Sequence, residues 1–308
     1  MGFNHIKKYA YLLLIFMQLG VSVCCLAQDS ESILKKLLPE IPAELTEPAQ
    51  RAAYLTQHFW DNYNFMDTTF LMTNQVLEHS FVDFINLLTL VPDDVQERSI
   101  QLLLQKSEVT PSVFMFIIQV SERYLYETAS PFYNEERLVP FLQYALQSSH
   151  LDEFEKSRPA FLLNGILMNR IGTVANDFAY TLLNGETGTL HTLQADWTIL
   201  YFNDPECDDC KLLIKQLSAS TGINDRIESG KMKIITVYVN DDLEAWRKHA
   251  SDVPLSWIYS YDAQQKINDE NIYYIKHFPT LYLLDQDKKV MLKDISFDNL
   301  ENYIKSHY

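Results

Sequence analysis

The sequence predicts an all-helical N-terminal domain followed by an α/β domain in which helices flank a mixed central sheet. The first observation is the distribution of glycine: none lies between Gln28 and Asn164, and six of the eight lie at Gly165 or later. Prolines recur through the glycine-free region, which is typical of helices that carry proline in their first turns. After Gly165, β-rich apolar runs alternate with helical stretches, a pattern typical of mixed α/β sheets.

Apolar spacing within the glycine-free region is the second observation in favour of helices. One helical face, with the spacing i, i+4, i+7, i+8 and i+11, is formed by Leu77, Phe81, Phe84, Ile85 and Leu88. Another helix is predicted to begin at Pro111, with Thr110 as its N-cap. No repeat of fixed period is visible, so the pattern does not indicate a helical solenoid.

Strands and helices alternate in the C-terminal half. Apolar runs rich in β-branched and aromatic residues predict strands at 197–202, 232–239, 280–284 and 290–292. Helices are predicted between and after them, at 209–217, 243–249 and 297–306. A turn at 285–288 joins the last two strands into a hairpin.

Composition excludes several functional classes. The chain of 308 residues is 47% hydrophobic and 13% aromatic, which provides a sizeable core and argues against disorder. It has 25 Lys and Arg against 41 Asp and Glu, for a net charge of −16. The sequence has no Lys- or Arg-rich stretch that could bind along a phosphate backbone, so nucleic acid is not a predicted partner. Four cysteines are too few for a disulfide-dense scaffold.

The first 27 residues have the pattern of a secretory signal peptide. Lys7 and Lys8 precede an apolar stretch, and the small residue Ala27 precedes a polar segment. An exported protein, in the periplasm or cell envelope, is therefore expected. An uncleaved membrane anchor is one alternative, and lipidation at Cys24 or Cys25 is the stronger one; a membrane is a predicted partner only in the lipidated case.

The predicted chemistry lies in the tetrapeptide Cys207-Asp208-Asp209-Cys210. This motif follows a predicted strand through a short loop and opens a helix. The free N–H groups and positive dipole end of a helix N-terminus stabilise a thiolate. Cys207 is therefore the expected attacking thiolate, and Cys210 is the resolving thiol.

Two other uses of the cysteine pair stay open at this point. A zinc site generally needs four ligands, and the sequence has no second CxxC or HxxxH pair. A purely structural disulfide is the other alternative, although so small a loop adds little stability.

Residues 171–308 resemble a thioredoxin-like domain of the exported TlpA and ResA kind. The opening segment 172–178 resembles the family's lead into an early hairpin, and the segment 231–250 matches its β-α insertion. Phe278-Pro279-Thr280 stands where the family keeps a cis-proline. The resemblance implies a cis bond at Pro279, substrate contacts from Phe278 and Pro279, and a redox-active disulfide between Cys207 and Cys210. Residues 28–170 are similar to a helical domain fused before such folds, which implies an architecture and no activity.

The departures from the family pattern concern charge. Glu206 replaces a usual tryptophan, Asp208 and Asp209 separate the cysteines, and Tyr201 stands where ordinary thioredoxins bury an aspartate. Carboxylates disfavour a neighbouring thiolate. We therefore predict that Glu206, Asp208 and Asp209 tune the redox couple towards the reducing or isomerising side.

These observations lead to a prediction of three segments: a signal peptide at 1–27, an all-helical domain at 28–170 and a thioredoxin-like domain at 171–308. The predicted function is that of an exported bacterial thiol–disulfide oxidoreductase. Its partners would be a protein or peptide disulfide and an upstream thiol electron donor, and no metal or organic cofactor is implied. The alternative is a non-catalytic interaction protein whose helical domain binds a partner, with the thioredoxin-like fold as a scaffold.

Overall fold

The computed structural model describes residues 35–73 and 75–307. The predicted signal peptide, including Cys24 and Cys25, lies outside the described residues. The chain forms two compact units that divide between Pro159 and Ala160. Among the described helices, none is both long and apolar enough to cross a membrane.

The first unit is helical, as predicted. Residues 35–37 are helical at the start of the described chain. The helices that follow are α1 (Pro48–His58), α2 (Thr68–Thr73), α3 (Val76–Leu88), α4 (Asp93–Ser107), α5 (Pro111–Leu125), α6 (Glu135–Gln147) and α7 (Glu153–Leu167), the last of which continues into the second unit.

The predicted apolar face of α3 is confirmed as core: all five of its side chains are buried. Thr110 is the N-cap residue of α5 and Pro111 its first residue, but the Thr110 side chain makes no capping hydrogen bond. The expectation that prolines mark first turns is wrong for Pro140 and Pro159. They lie inside α6 and α7, where each gives up a backbone hydrogen bond.

The second unit is built on a mixed sheet, which confirms the predicted fold class. Its strands are β1 (Ala179–Leu182), β2 (Thr187–Thr189), β3 (Trp197–Phe202), β4 (Met232–Tyr238), β5 (Ile258–Tyr261), β6 (Thr280–Leu284) and β7 (Val290–Lys293). Its further α-helices are α8 (Asp208–Ala219), α9 (Thr221–Glu228), α10 (Leu243–Lys248), α11 (Lys266–Asp269) and α12 (Phe297–Ser306).

The sheet order is β2-β1-β5-β4-β3-β6-β7, so β3 lies well inside the sheet. It pairs in parallel with β4 and antiparallel with β6. Successive β3 side chains enter opposite cores: Ile199 and Tyr201 pack on one face, and Leu200 and Phe202 on the other. A strand buried on both faces reads as a continuous apolar run, which explains why its bounds were predictable from sequence.

Candidate active site

The cysteine pair lies where β3 passes into α8. The strand ends at Phe202, a loop follows, and Cys207 is the N-cap residue of the helix. The backbone N–H of Cys210 donates to the Sγ atom of Cys207 across 3.2 Å. An N-cap position places the thiol beside the unpaired N–H groups of the first turn, which stabilise a thiolate.

Burial separates the two thiols. Cys207 is half-buried, whereas Cys210 is buried and 1% exposed, and both are free thiols in this structure. Burial, followed by the contacts with Cys207, raises the pKa of the Cys210 thiol to about 12. The accessible thiol at the helix N-terminus is thus suited to attack a substrate, and the buried one to act second.

The pairing of β3 with β6 brings the segment that contains Phe278 and Pro279 to the end of β3, where Phe278 contacts Cys207. Phe202 at the end of β3 lies opposite Thr280 at the start of β6. The preceding Phe278–Pro279 peptide bond is cis, as predicted. The Cys207 thiol donates to the Phe278 carbonyl oxygen at 3.7 Å, so the backbone beside the cis-proline touches the predicted nucleophile.

Tyr201 lies beneath the pair in the α8-side core. Its side chain is fully buried, and its hydroxyl donates to the carbonyl oxygen of Cys210 at 3.0 Å. Burial and the nearby Cys210 raise the pKa of this phenol. Tyr201 is therefore protonated at neutral pH and cannot accept the proton of the resolving thiol.

The acidic side chains predicted to tune the couple are exposed. Glu206, Asp208 and Asp209 all face solvent, and the Nζ atom of Lys211 lies 3.3 Å from an Asp208 carboxylate oxygen. Exposed charges act on Cys207 through water, and Lys211 offsets one of them. The opposition of these carboxylates to the thiolate is correspondingly small.

Sequence reasoning missed Asp204, which organises the active-site loop. Its side chain accepts from the Glu206 N–H at 2.9 Å and from the Asn240 amide at 3.0 Å. Its carbonyl oxygen accepts from the Cys207 N–H at 3.2 Å. The Asp-Pro dipeptide at 204–205 is a turn signal that could have pointed to this role. The contact with Asn240 could not have been found, because it depends on how two distant loops pack.

An acidic groove opens beside this loop. It has a volume of about 510 Å³ and includes five carboxylates in its lining, those of Asp204, Glu206, Asp241, Asp242 and Asp269. Among the described residues, no group of three or more His, Cys, Asp or Glu side chains is arranged to hold a metal ion.

The fold and the site together define the thioredoxin-like class: a CxxC motif at a helix N-terminus after an inner strand, with a cis-proline backbone against its first sulfur. Comparisons with known proteins agree. Residues 195–290 match a family described as thioredoxin-like, and residues 25–169 match a domain of unknown function designated DUF5106. Among curated protein sequences, none is significantly similar to the chain.

A thioredoxin-like protein from Bacteroides caccae, whose crystal structure is known, has a sequence 37% identical to that of the chain. The match covers 88% of this chain and 98% of that protein, with a TM-score of 0.83. The chain belongs to this family of thioredoxin-like proteins.

Two shorter solved structures are each similar to less than half of the chain. The C-terminal domain of a protein from Bacteroides fragilis is 39% identical over 45% of this chain and 99% of its own, with a TM-score of 0.44. The thioredoxin domain of a thiol–disulfide oxidoreductase from Bacteroides vulgatus is 20% identical over 44% of this chain and 96% of its own, with a TM-score of 0.38.

Proposed function

We propose that the chain is an exported thiol–disulfide oxidoreductase that exchanges protein or peptide disulfides through Cys207 and Cys210. The observation that carries the proposal is the arrangement of the two thiols. A half-buried thiol caps a helix N-terminus, and a buried thiol lies one turn later with its N–H bonded to the first sulfur. Export is proposed from the signal pattern of residues 1–27.

The proposed exchange has two steps. The Cys207 thiolate attacks one sulfur of the substrate disulfide, forms a mixed disulfide and releases the other substrate sulfur as a thiolate. Cys210 then attacks the Cys207 sulfur, which forms the Cys207–Cys210 disulfide and releases the second substrate thiolate. The substrate disulfide gains two electrons and the cysteine pair loses them. An upstream thiol donor would return the pair to its reduced form.

Phe278 and Pro279 are proposed to hold the substrate chain. The Phe278 carbonyl oxygen already contacts the Cys207 thiol and lies just before β6. An extended substrate segment whose sulfur is bonded to Cys207 would reach the backbone at Phe278 and could form main-chain hydrogen bonds with it. Its side chains would then contact Phe278.

Glu206, Asp208 and Asp209 support a couple on the reducing or isomerising side. They disfavour the Cys207 thiolate, and strong disulfide oxidants of this superfamily instead stabilise theirs. Because these carboxylates are exposed, the proposed bias is modest.

A trapping experiment tests the function. The Cys210→Ser variant should accumulate mixed disulfides with its substrates, since the second step is blocked. Covalent partners should be captured from cell-envelope extract, be released by a thiol reductant, and be absent with the matched Cys207→Ser/Cys210→Ser control. Partners that stay bound in the double variant and never become covalent would favour the interaction-protein alternative instead.

A further inference from the structure

A small cavity beside Cys210 is bordered by polar side chains that have no role in the two proposed steps. It has a volume of about 10 Å³, which is about the space that one water molecule needs. Cys210 from α8, Asn203 from the active-site loop, and His249 and Asp252 from the segment after α10 all border it.

Asn203 provides a buried polar atom at this cavity that a water molecule could satisfy. The residue is 2% exposed, and its Oδ1 atom has no hydrogen-bond partner among the described residues. A buried carbonyl oxygen without a partner is unfavourable by about 1–3 kcal/mol, so such atoms are generally satisfied by water. A water in the cavity could donate to Asn203 while it accepts from the Cys210 thiol.

His249 and Asp252, which both border the cavity, form a hydrogen-bonded pair. The Nδ1 atom of His249 lies 2.7 Å from a carboxylate oxygen of Asp252. With Nδ1 donating to that carboxylate, Nε2 is the ring nitrogen left to accept a proton. No hydrogen bond to Nε2 is present among the described residues, and the His249 side chain is 21% exposed.

The second step of the exchange needs such an acceptor. The buried Cys210 thiol must lose its proton before its sulfur can attack. Tyr201 cannot take this proton, because its phenol is protonated and donates a hydrogen bond to the Cys210 carbonyl oxygen. Imidazole ordinarily titrates between pH 5 and 8, which suits a base working near neutrality.

We infer that His249, oriented by Asp252, is the base that deprotonates the resolving Cys210 through a water held by Asn203. This inference rests on the proposed function. The Cys210 proton passes through the water to Nε2 of His249 as the Cys210–Cys207 bond forms. The bond between Cys207 and the substrate sulfur breaks, and the departing thiolate takes a proton from the imidazolium or from solvent.

Charged groups from several elements lie around the cavity of His249, and they influence how the rate of the second step depends on pH. The other titratable or charged groups that border the cavity are Asp252, Asp204, Lys211, Tyr259 and Cys210.

The test separates the two steps with one equivalent of an aromatic disulfide, Ellman's reagent, added to the reduced full chain. Cys207 releases the first coloured thiolate, and the attack of Cys210 on the resulting mixed disulfide releases the second. His249→Asn should slow the second phase at neutral pH at least about tenfold, as loss of a general base does. The first phase should change less than about twofold, because its thiolate depends on the helix N-terminus.

Two further variants keep the test decisive. Asp252→Asn should slow the second phase less than His249→Asn does, because the ring is kept but loses its orienting partner. His191→Asn is the matched control, because His191 also lies beside an aspartate, with 4.0 Å between its Nδ1 and Asp177, and does not border this cavity. It should leave both phases unchanged.

The pH profile distinguishes a base from a structural residue. In the wild type the second phase should level off near neutrality, whereas in His249→Asn it should keep rising into the alkaline range where the thiol ionises by itself. Equal second phases in wild type and His249→Asn would overturn the role of His249 alone. A wild-type protein that releases no second thiolate would overturn the proposed function itself.

Discussion

The two cysteines differ in burial and in hydrogen bonding, although only two residues separate them. Cys207 is half-buried at the helix N-terminus, and Cys210 is buried above the Tyr201 hydroxyl. Burial disfavours a thiolate, so the pKa of Cys210 is raised to about 12, whereas Cys207 lies at the N-cap of α8 beside the unpaired N–H groups of its first turn. The order of attack that we propose therefore follows from the environment of each thiol and not from residue type.

At the residue scale, we predict that Asp208→Asn/Asp209→Asn raises the reduction potential. Removing two negative charges stabilises the Cys207 thiolate, which stabilises the reduced protein and makes the disulfide a stronger oxidant. Because both carboxylates are exposed, each contributes about 1 kcal/mol or less, so the rise for the pair should be no more than about 40 mV. A glutathione redox titration of the protein and its variant measures the change.

The matched control is Asp196→Asn/Asp298→Asn, which changes the net charge equally at two exposed positions outside the motif. It should leave the potential unchanged. The rise in the motif variant should also shrink in high salt, because salt screens exposed charges. A potential that falls, or that moves equally in both variants, would show that the acidic motif does not set the couple.

At the element scale, the glycine that marks the composition change has a packing role in α7. A Cβ atom at Gly165 would lie 2.7 Å from the Cδ1 atom of Tyr274, so the aromatic ring occupies the space of a side chain. Gly222 in α9 is also helical, but a Cβ atom there would have its nearest neighbour at 3.9 Å, the Cγ2 atom of Ile304. The two glycines therefore offer a matched pair.

We predict that Gly165→Ala destabilises the protein and Gly222→Ala does not. Alanine favours a helix by up to about 1 kcal/mol over glycine, and Gly222→Ala should gain part of this. At Gly165 the clash with Tyr274 should outweigh that gain, for a net loss of about 1 kcal/mol or more. Urea unfolding measures both, and a stabilised Gly165→Ala would mean that the Tyr274 ring moves aside freely.

At the scale of the whole molecule, α7 belongs to both compact units. The division falls between Pro159 and Ala160, within this helix. The buried Lys293 at the end of β7 donates from its Nζ to the carbonyl oxygens of Gly165, Ile166 and Met168, at 3.1, 3.0 and 2.9 Å. A cation at a helix C-terminus satisfies the unpaired carbonyls and complements the helix dipole. The domain boundary predicted from sequence, after residue 170, would assign Lys293 and these three carbonyl groups to different domains. That boundary stays a prediction.

We predict that a fragment spanning 160–308 is more stable than one spanning 171–308. The shorter fragment leaves the Lys293 ammonium without three carbonyl acceptors, at a cost of about 2–3 kcal/mol. Urea unfolding of the two fragments measures the difference. Lys293→Met gives the internal control: it should destabilise the longer fragment and leave the shorter one unchanged or more stable. Equal stability of the two unaltered fragments would show that the end of α7 contributes nothing to this unit.

The elements that could be predicted from sequence are those whose apolar pattern lies within the element itself. The bounds of β3 and β6 were predicted as the structure has them, since both strands are continuous apolar runs buried on both faces. The strand pattern did not reveal β5, whose four residues mix two tyrosines and a serine. The short helices α9 and α11 were missed as well, because eight and four residues carry too little periodicity to be distinguished from loops.

The sequence by itself determined the fold class, the position of the cysteine motif and its place at a helix N-terminus. Each of these depends on residues within one or two consecutive elements, where periodicity and capping act directly. Only the tertiary structure decided that the Phe278 carbonyl touches Cys207, and that His249, Asp252 and Asn203 border the cavity of Cys210. These contacts join loops that are distant along the chain. Their geometry follows from strand register and core packing, which are properties of many side chains together rather than of any local pattern.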